Sequence, residues 1–285
     1  MRRVFFIGAV IIFVIALFSF YYLGRNNSSE LEITFLDVGQ GDSILIEAPR
    51  GQNILIDGGP DKQVIRRLGE ALPFWEREID LIILTHSHAD HVTGLSSVLE
   101  RFRVGKVFYN GLKPETPEYK KFLELAESRT KLIQIKNKQK LQMGPQCQIE
   151  IIYPGEWSRQ ADNLNNASLV SRLDCRGETA LFTGDVEKEA EKKLLAEDYS
   201  LKSRVLKVSH HGSDTSSQKK FLKKVDPEIA VIQAGRDNRK GHPSRRVLKR
   251  LERIGAHIFQ TGLSGTIELS FTDNQTEAQF LSGRN

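Results

Sequence analysis

His86-Ser87-His88-Ala89-Asp90-His91 sets three imidazoles and a carboxylate within six residues, directly after the apolar run Leu81-Ile82-Ile83-Leu84. A run of that length reads as a buried strand, which puts the cluster at the strand's C-terminal mouth. Alternate residues of an extended segment project to one side. His86 and His88 can therefore converge on one ion, while Asp90 and His91, past the bend, reach a second. Neutral imidazole and carboxylate suit Zn and, with more oxygen ligands, Mn or Fe. A solvated loop with chance histidines would not hold three of the chain's seven, so the spacing points to a metal site.

Other polar clusters also fall at the ends of apolar runs. Asp57 closes Ile54-Leu55-Ile56, Asp185 closes Phe182-Thr183-Gly184, and His210-His211-Gly212-Ser213 follows Val205 to Val208. Open α/β sheets gather ligands at carboxyl strand ends. By that analogy the three clusters share a mouth with the histidine motif.

The elements that must position them follow from periodicity and turn residues. Ile33 to Ile46 predicts a hairpin around Asp37-Val38-Gly39-Gln40-Gly41-Asp42, and Ile54 to Ile56 and Leu81 to Thr85 predict strands. Helices are expected from Val64 through Leu68, over Gly94 to Phe102 and over Glu118 to Ser128, with strands at Lys106 to Tyr109 and Leu132 to Ile135. The middle carries short strands at 149–153, 168–173 and 179–183, then a helix over 186–196. The last third alternates strands at 205–208 and 229–233 with helices at 217–225 and 244–254, and closes with strands at 258–260 and 266–270. That order implies an α/β domain of two mixed sheets with helices outside, in four layers.

Val4 to Leu23 is uncharged and rich in Phe, Ile and Val. Twenty helical residues span about 30 Å, the hydrocarbon thickness of a bilayer. Arg2 and Arg3 before the segment favour an inside N-terminus and a translocated remainder. No small-residue cleavage site stands out, so the segment reads as a signal anchor, with secretion after cleavage as the alternative. Residues 1–30 are thus a membrane anchor and linker, and 31–285 one large domain on the extracytoplasmic side. The two cysteines, Cys147 and Cys175, are either a disulfide or separate buried thiols.

Net charge is +5, but without Arg2, Arg3 and Arg25 only 38 basic residues face 36 acidic ones. Distribution matters more. Lys202 to Lys224 and Arg236 to Arg253 are strongly basic, as suits a phosphate-bearing substrate or simply solvated helix faces. Trp75, Trp157 and the pair Phe108 and Tyr109 could stack on bases, or belong to core or rim.

The combination T-H-S-H-A-D-H, F-T-G-D and H-H-G-S resembles the metallo-β-lactamase superfamily of αββα hydrolases. With D-V-G-Q-G-D, L-I-D-G-G, N-N-A-S-L-V and G-H-P, the stretch Leu31 to Ser270 is similar specifically to the hydrolase domain of ComEC-type DNA-uptake (competence) proteins. The resemblance implies one ion on His86 and His88 and a second on Asp90 and His91. Asp185 would bridge the two ions and His211 would complete the second site. His210 becomes an outer or substrate contact, although the adjacent histidines could exchange roles, and Asp57 orients the cluster by hydrogen bonds. One departure stands out: the superfamily usually supplies a further histidine to the first ion, and none lies between His91 and His210. Asn165-Asn166-Ala167-Ser168 occupies that region. The first ion is expected to be labile, or completed by water or an Asn oxygen.

The function expected is a metal-dependent phosphodiesterase or nuclease on single-stranded DNA. It would act by attack of hydroxide formed when one or two Zn or Mn ions lower the pKa of bound water toward about 7. Asp185, His210 and His242 are the catalytic candidates, with His242, set among arginines, binding a phosphate or protonating the leaving oxygen. The alternatives are a hydrolase of a small extracytoplasmic substrate, lactamase-like or phosphodiester, and a catalytically weak DNA-binding module. With one apolar segment in the sequence, any DNA channel is expected to belong to a separate protein.

Overall fold

The computed structural model describes residues 30–271 except 113, 145 and 154–162, together with 276–281 and residues 6–8, 10–13 and 16. Val4 to Leu23 therefore lies largely outside the described residues, as does Trp157. Among the described residues no helix is long and apolar enough to cross a membrane.

Strands β1 (Leu31–Phe35), β2 (Ile44–Ala48) and β3 (Gln52–Ile56) form an antiparallel meander. After α1 (Gln63–Ala71), the units β4 (Glu78–Ile83), α2 (Ala89–Arg101), β5 (Arg103–Tyr109), α3 (Pro117–Arg129) and β6 (Lys131–Gln134) extend that sheet in parallel. A second sheet begins with antiparallel β7 (Gln139–Gln142), β8 (Cys147–Tyr153), β9 (Val170–Cys175) and β10 (Glu178–Phe182). It continues in parallel through α4 (Lys188–Ala196), β11 (Val205–Lys207), α5 (Lys219–Val225), β12 (Ile229–Ile232), α6 (Arg245–Arg253) and β13 (His257–Gln260). After the single turn α7 (Thr261–Ser264), β14 (Thr266–Phe271) and β15 (Thr276–Leu281) return to the first sheet, β14 pairing with β1. The orders are β15-β14-β1-β2-β3-β4-β5-β6 and β13-β12-β11-β10-β9-β8-β7.

Side-chain alternation explains why these runs are apolar at nearly every position. Ile44, Ile46, Ile54, Ile56, Leu81 and Ile83 face the second sheet and meet Leu173, Phe182, Val205 and Val231 there. The intervening Leu45, Leu55 and Ile82 point the other way, under Val64, Leu68, Leu95 and Phe122 of the helices. Leu181, Leu206 and Ala230 do the same under Leu194, Phe221 and Leu251. A strand buried on both faces needs a continuous apolar run rather than an alternating one. The four-layer α/β/β/α arrangement expected from the element order is the one observed.

Two strands escape the sequence reading. β7 is exposed or half-buried throughout and β15 is an edge strand, so neither carries an apolar pattern. Cys147 and Cys175 sit opposite each other on β8 and β9 and are joined by a disulfide, which settles the alternative left open above.

Candidate metal centre

The parallel strands β4, β10, β11 and β12 all end on the same side, and their following loops carry the polar clusters. β4 stops at Ile83, and α2 begins at Ala89. His86 and His88 thus lie on extended chain, while Asp90 and His91 lie on the first helical turn. Helix α2 can sit this close only because both contact residues are glycine. A Cβ on Gly94 would overlap the Gly58 carbonyl, and one on Gly58 would lie 2.6 Å from Leu95 N. The loop carrying Asp57 is thereby brought directly beneath His91.

Asp57 is buried and fully engaged. Its Oδ1 accepts the Thr85 N–H at 2.8 Å, and its Oδ2 accepts the Thr85 hydroxyl at 2.7 Å and pairs with His91 Nδ1 at 2.8 Å. These contacts tie Thr85 and the His91 ring together. With His91 Nδ1 committed to Asp57, its Nε2 faces Asp185 Oδ2 at 3.3 Å.

The His210-His211 turn is strained backbone. His210 (φ 50°, ψ 47°) and His211 (φ 53°, ψ 23°) are successive left-handed residues other than glycine, each costing of order 1–3 kcal/mol. The turn is held by Gly184 O accepting the His210 N–H at 3.2 Å and Gly212 O accepting the Ser244 N–H at 2.9 Å. Its effect is to send the two rings in different directions. His211 is buried, gives its Nδ1 to the Gln233 carbonyl at 2.8 Å, and aims Nε2 at Asp185 Oδ2 (3.3 Å) and Asp90 Oδ2 (3.5 Å). His210 stays at the rim, with Nε2 3.8 Å from Asp185 Oδ2 and Nδ1 3.3 Å from Glu187. Of the two histidines, His211 therefore has the ligand geometry.

Candidate ligand atoms of His86, His91 and Asp185 lie within 4.8 Å of one another, as do those of Asp90, His91 and His211, and of Asp42, Asp185 and His211. The donors fit a divalent cation. His91 Nε2, His211 Nε2 and Asp185 Oδ1 are buried without a hydrogen-bond partner, and each imidazole is oriented through its other nitrogen, the usual arrangement of a metal-binding histidine. His88 joins through His86, Nδ1 to Nε2 at 3.1 Å, and is half-buried. His242 reaches no ligand atom; its ring lies 5.7 Å from that of His210.

Electrostatics follow from burial and neighbours. Burial favours neutral His91 and His211, but the carboxylates of Asp185 with Asp57 or Asp42 outweigh it and hold both imidazoles well above their ordinary pKa. Burial, with His91 close by, pushes His86 well below it. Asp185 stays ionised despite burial because His211 and His91 face it. Burial and the neighbouring His210 lower His242 to about 4, so its ring is neutral at pH 7.

Sequence reasoning missed two residues. Asp42, at the end of the first glycine turn, is buried 3.2 Å from His211 Nδ1. Lys207, on β11, is wholly buried; its ammonium pairs with Asp42, lies 3.0 Å from the Gly184 carbonyl and 3.6 Å from Asp185 Oδ1. The available signal was a cation inside Val205-Leu206-Lys207-Val208, since a buried lysine needs an anion.

Asn165 to Ser168, where a histidine is missing, supports the Asp185 turn. Ser168 Oγ accepts the Asp185 N–H at 3.1 Å, Asn166 Oδ1 accepts the Glu187 N–H at 3.0 Å, and Asn165 Nδ2 donates to Glu187 at 2.9 Å. Of the aromatic candidates, Phe108 and Tyr109 are buried, and Trp75 lies in the loop before β4, at the far end from the centre.

Residues 36–154 and 159–236 match the metallo-beta-lactamase superfamily. The chain belongs to that superfamily. ComE operon protein 3 of Bacillus subtilis is 32% identical to it over 262 residues, 86% of this chain and 33% of that protein. Competence protein ComA of Neisseria gonorrhoeae is 30% identical over 259 residues, 89% of this chain and 34% of that protein. The chain thus spans about a third of the length of these relatives. Among solved structures, the metallo-beta-lactamase fold protein YhfI from Bacillus subtilis superposes with a TM-score of 0.56 at 14% identity, over 85% of this chain and 100% of that one, which shows the shared fold. Membership implies a divalent metal, and the buried donor set on this superfamily member meets that requirement.

Proposed function

We propose that this metallo-β-lactamase-fold hydrolase is a phosphodiesterase acting on single-stranded DNA. The observation that carries the reading is the buried Asp185 carboxylate, with one oxygen 3.3 Å from both His91 Nε2 and His211 Nε2. Asp90, His91, Asp185 and His211 would hold one ion, and His86 and His88, together with Asp185, a second, Zn or Mn. Such ions make water nucleophilic at neutral pH and stabilise charge on the leaving oxygen.

The chain's own groups do the rest. Asp57, Gln233 and Lys207 fix the orientation of His91, His211 and Asp185, so the donor set needs no rearrangement when substrate arrives. His210 stands on the solvent side of Asp185, backed by Glu187, where it can hydrogen-bond a phosphate oxygen. His242, neutral at pH 7, offers an N–H rather than a charge. Lys240 beside it reaches Asp90 Oδ2 at 3.4 Å and adds a cation at the mouth. The DNA substrate is supported by a relative that carries the name of a competence protein and by the exposed cations of α5 and α6.

Val4 to Leu23 is taken as the anchor that holds the domain on the extracytoplasmic side. The Cys147–Cys175 disulfide supports an oxidising compartment.

The test is to supply the purified full chain and its His88→Ala variant with Zn or Mn, on labelled single- and double-stranded DNA. Metal-dependent cleavage of the single strand, lost in the variant, is the expected result. Intact DNA alongside turnover of bis-p-nitrophenyl phosphate or a chromogenic β-lactam would replace the reading with a small-substrate hydrolase.

A further inference from the structure

Phe74 and Trp75, in the loop between α1 and β4, are 77% and 43% exposed, and their rings pack edge to face with centroids 4.6 Å apart. They precede β4, whose C-terminal end carries the histidine motif, so they lie at the opposite end of the sheet from the metal centre. A six-residue strand separates the two by about 20 Å.

Leu31 lies at that same end. β1 is antiparallel to β2, β2 to β3, and β3 runs parallel to β4, so β1 and β4 point the same way. Three strand spacings, about 14 Å, separate their starts. Directly before Leu31 come the seven residues Gly24 to Glu30 and then the uncharged run Val4 to Leu23. Seven residues reach at most about 25 Å. If Val4 to Leu23 is the anchor proposed above, this end of the sheet is the end leashed to the bilayer.

Its rim is basic. Arg77 and Arg103 are exposed close to the aromatic pair, and Arg50 projects from the β2–β3 turn at the same end. Arg77 O accepts the Arg103 N–H at 2.8 Å, and the Arg77 guanidinium lies over the Phe102 ring. Glu78, paired with Arg103, is a nearby anion. Exposed Trp and Phe with arginines beside them match the interfacial layer of a membrane.

We infer that the Phe74–Trp75 face docks on the lipid surface and stands the domain on the bilayer with its metal centre facing away. The inference rests on the anchor reading. A strand then enters from the aqueous side, and the leash and the docked aromatics together fix the domain's orientation.

The experiment uses the full chain reconstituted in phosphatidylcholine–phosphatidylglycerol vesicles, with and without brominated acyl chains. The chain has two tryptophans. Trp157→Phe leaves Trp75 as the only emitter, and Trp75→Phe, subtracted from the unaltered chain, reads Trp75 a second way. Loss of Trp75 emission on brominated lipid, with protection from aqueous acrylamide, is the expected result. Retention through a carbonate wash with Trp75 open to acrylamide and unaffected by bromine overturns docking but leaves the anchor standing. Retention with Trp75 shielded from both quenchers also overturns it, in favour of a protein partner on this face. Release by carbonate removes the anchor and the docking argument with it.

Discussion

His210 and His211 are adjacent and alike in sequence, yet the left-handed turn gives them different surroundings. His211 is buried, oriented by Gln233 and directed at Asp185 and Asp90; His210 touches Asp185 only at 3.8 Å from the rim. His211→Ala should weaken metal retention by more than about 100-fold, whereas His210→Ala should cost no more than the roughly 10–100-fold of an outer partner. Metal content after dialysis against graded chelator measures both, and equal losses would mean that the two share the ion. Much of this site was legible in sequence. His86 to His91 is local, and Asp185 and His211 each close an apolar run, so a strand-end rule finds them. Asp42 and Lys207 were not found because neither lies in a cluster. They meet only when β11 of one sheet packs over the glycine turn of the other, a contact across 165 residues that no spacing encodes.

At the scale of elements, Glu191 ties two helices together. It lies on α4 and accepts the backbone N–H groups of Ser217 and Gln218, the latter at 2.9 Å, where α5 begins. Burial outweighs these donors and raises its carboxyl to about 7. The folded chain therefore keeps a proton that the unfolded chain, near the ordinary value of 4.5, releases. Stability from this group is present below about pH 4.5 and declines as the pH rises to about 7. Across that window Glu191→Gln should gain about 3 kcal/mol relative to the unaltered chain. Urea unfolding of both in chelator, from pH 4.5 to 8, measures the difference; parallel profiles would show that Glu191 ionises as freely in the fold as in the unfolded chain. Strands buried on both faces announced themselves as apolar runs. β7 did not, since an edge hairpin of Gln139, Lys140, Leu141 and Gln142 owes its conformation to pairing with β8, and pairing leaves no periodicity in so polar a segment.

The whole molecule separates its charges by place rather than by sum. Arg204 is taken up by Glu178 and Glu228, and Lys207 by Asp42, so two of the seven cations between Lys202 and Lys224 are structural. Lys202 and Arg246 are exposed but paired with Asp226 and Asp214; other exposed cations lie on α5, at Lys219, Lys220, Lys223 and Lys224, and on α6, at Arg245, Lys249 and Arg253. Both helices begin at the loops around the centre: Gly212 O accepts the Ser244 N–H, and Arg250 Nη1 donates to Ser216 O at 3.0 Å. Running side by side from there, they continue the cations of the mouth outward, with Arg245, Lys249 and Arg253 at four-residue spacing on one stripe. A polyanionic strand held at the centre would lie along them, whereas a single phosphodiester would not reach them. Single-strand binding should therefore weaken with salt by about 0.7 in log–log slope for each phosphate neutralised. Lys223→Gln with Lys249→Gln should reduce that slope by about 1.4 and leave bis-p-nitrophenyl phosphate turnover unchanged. Fluorescence anisotropy of a labelled oligonucleotide across a salt series reads the slope. If it is unaltered in the double variant, the strand leaves the centre by another face, and these helices carry charge for solubility alone.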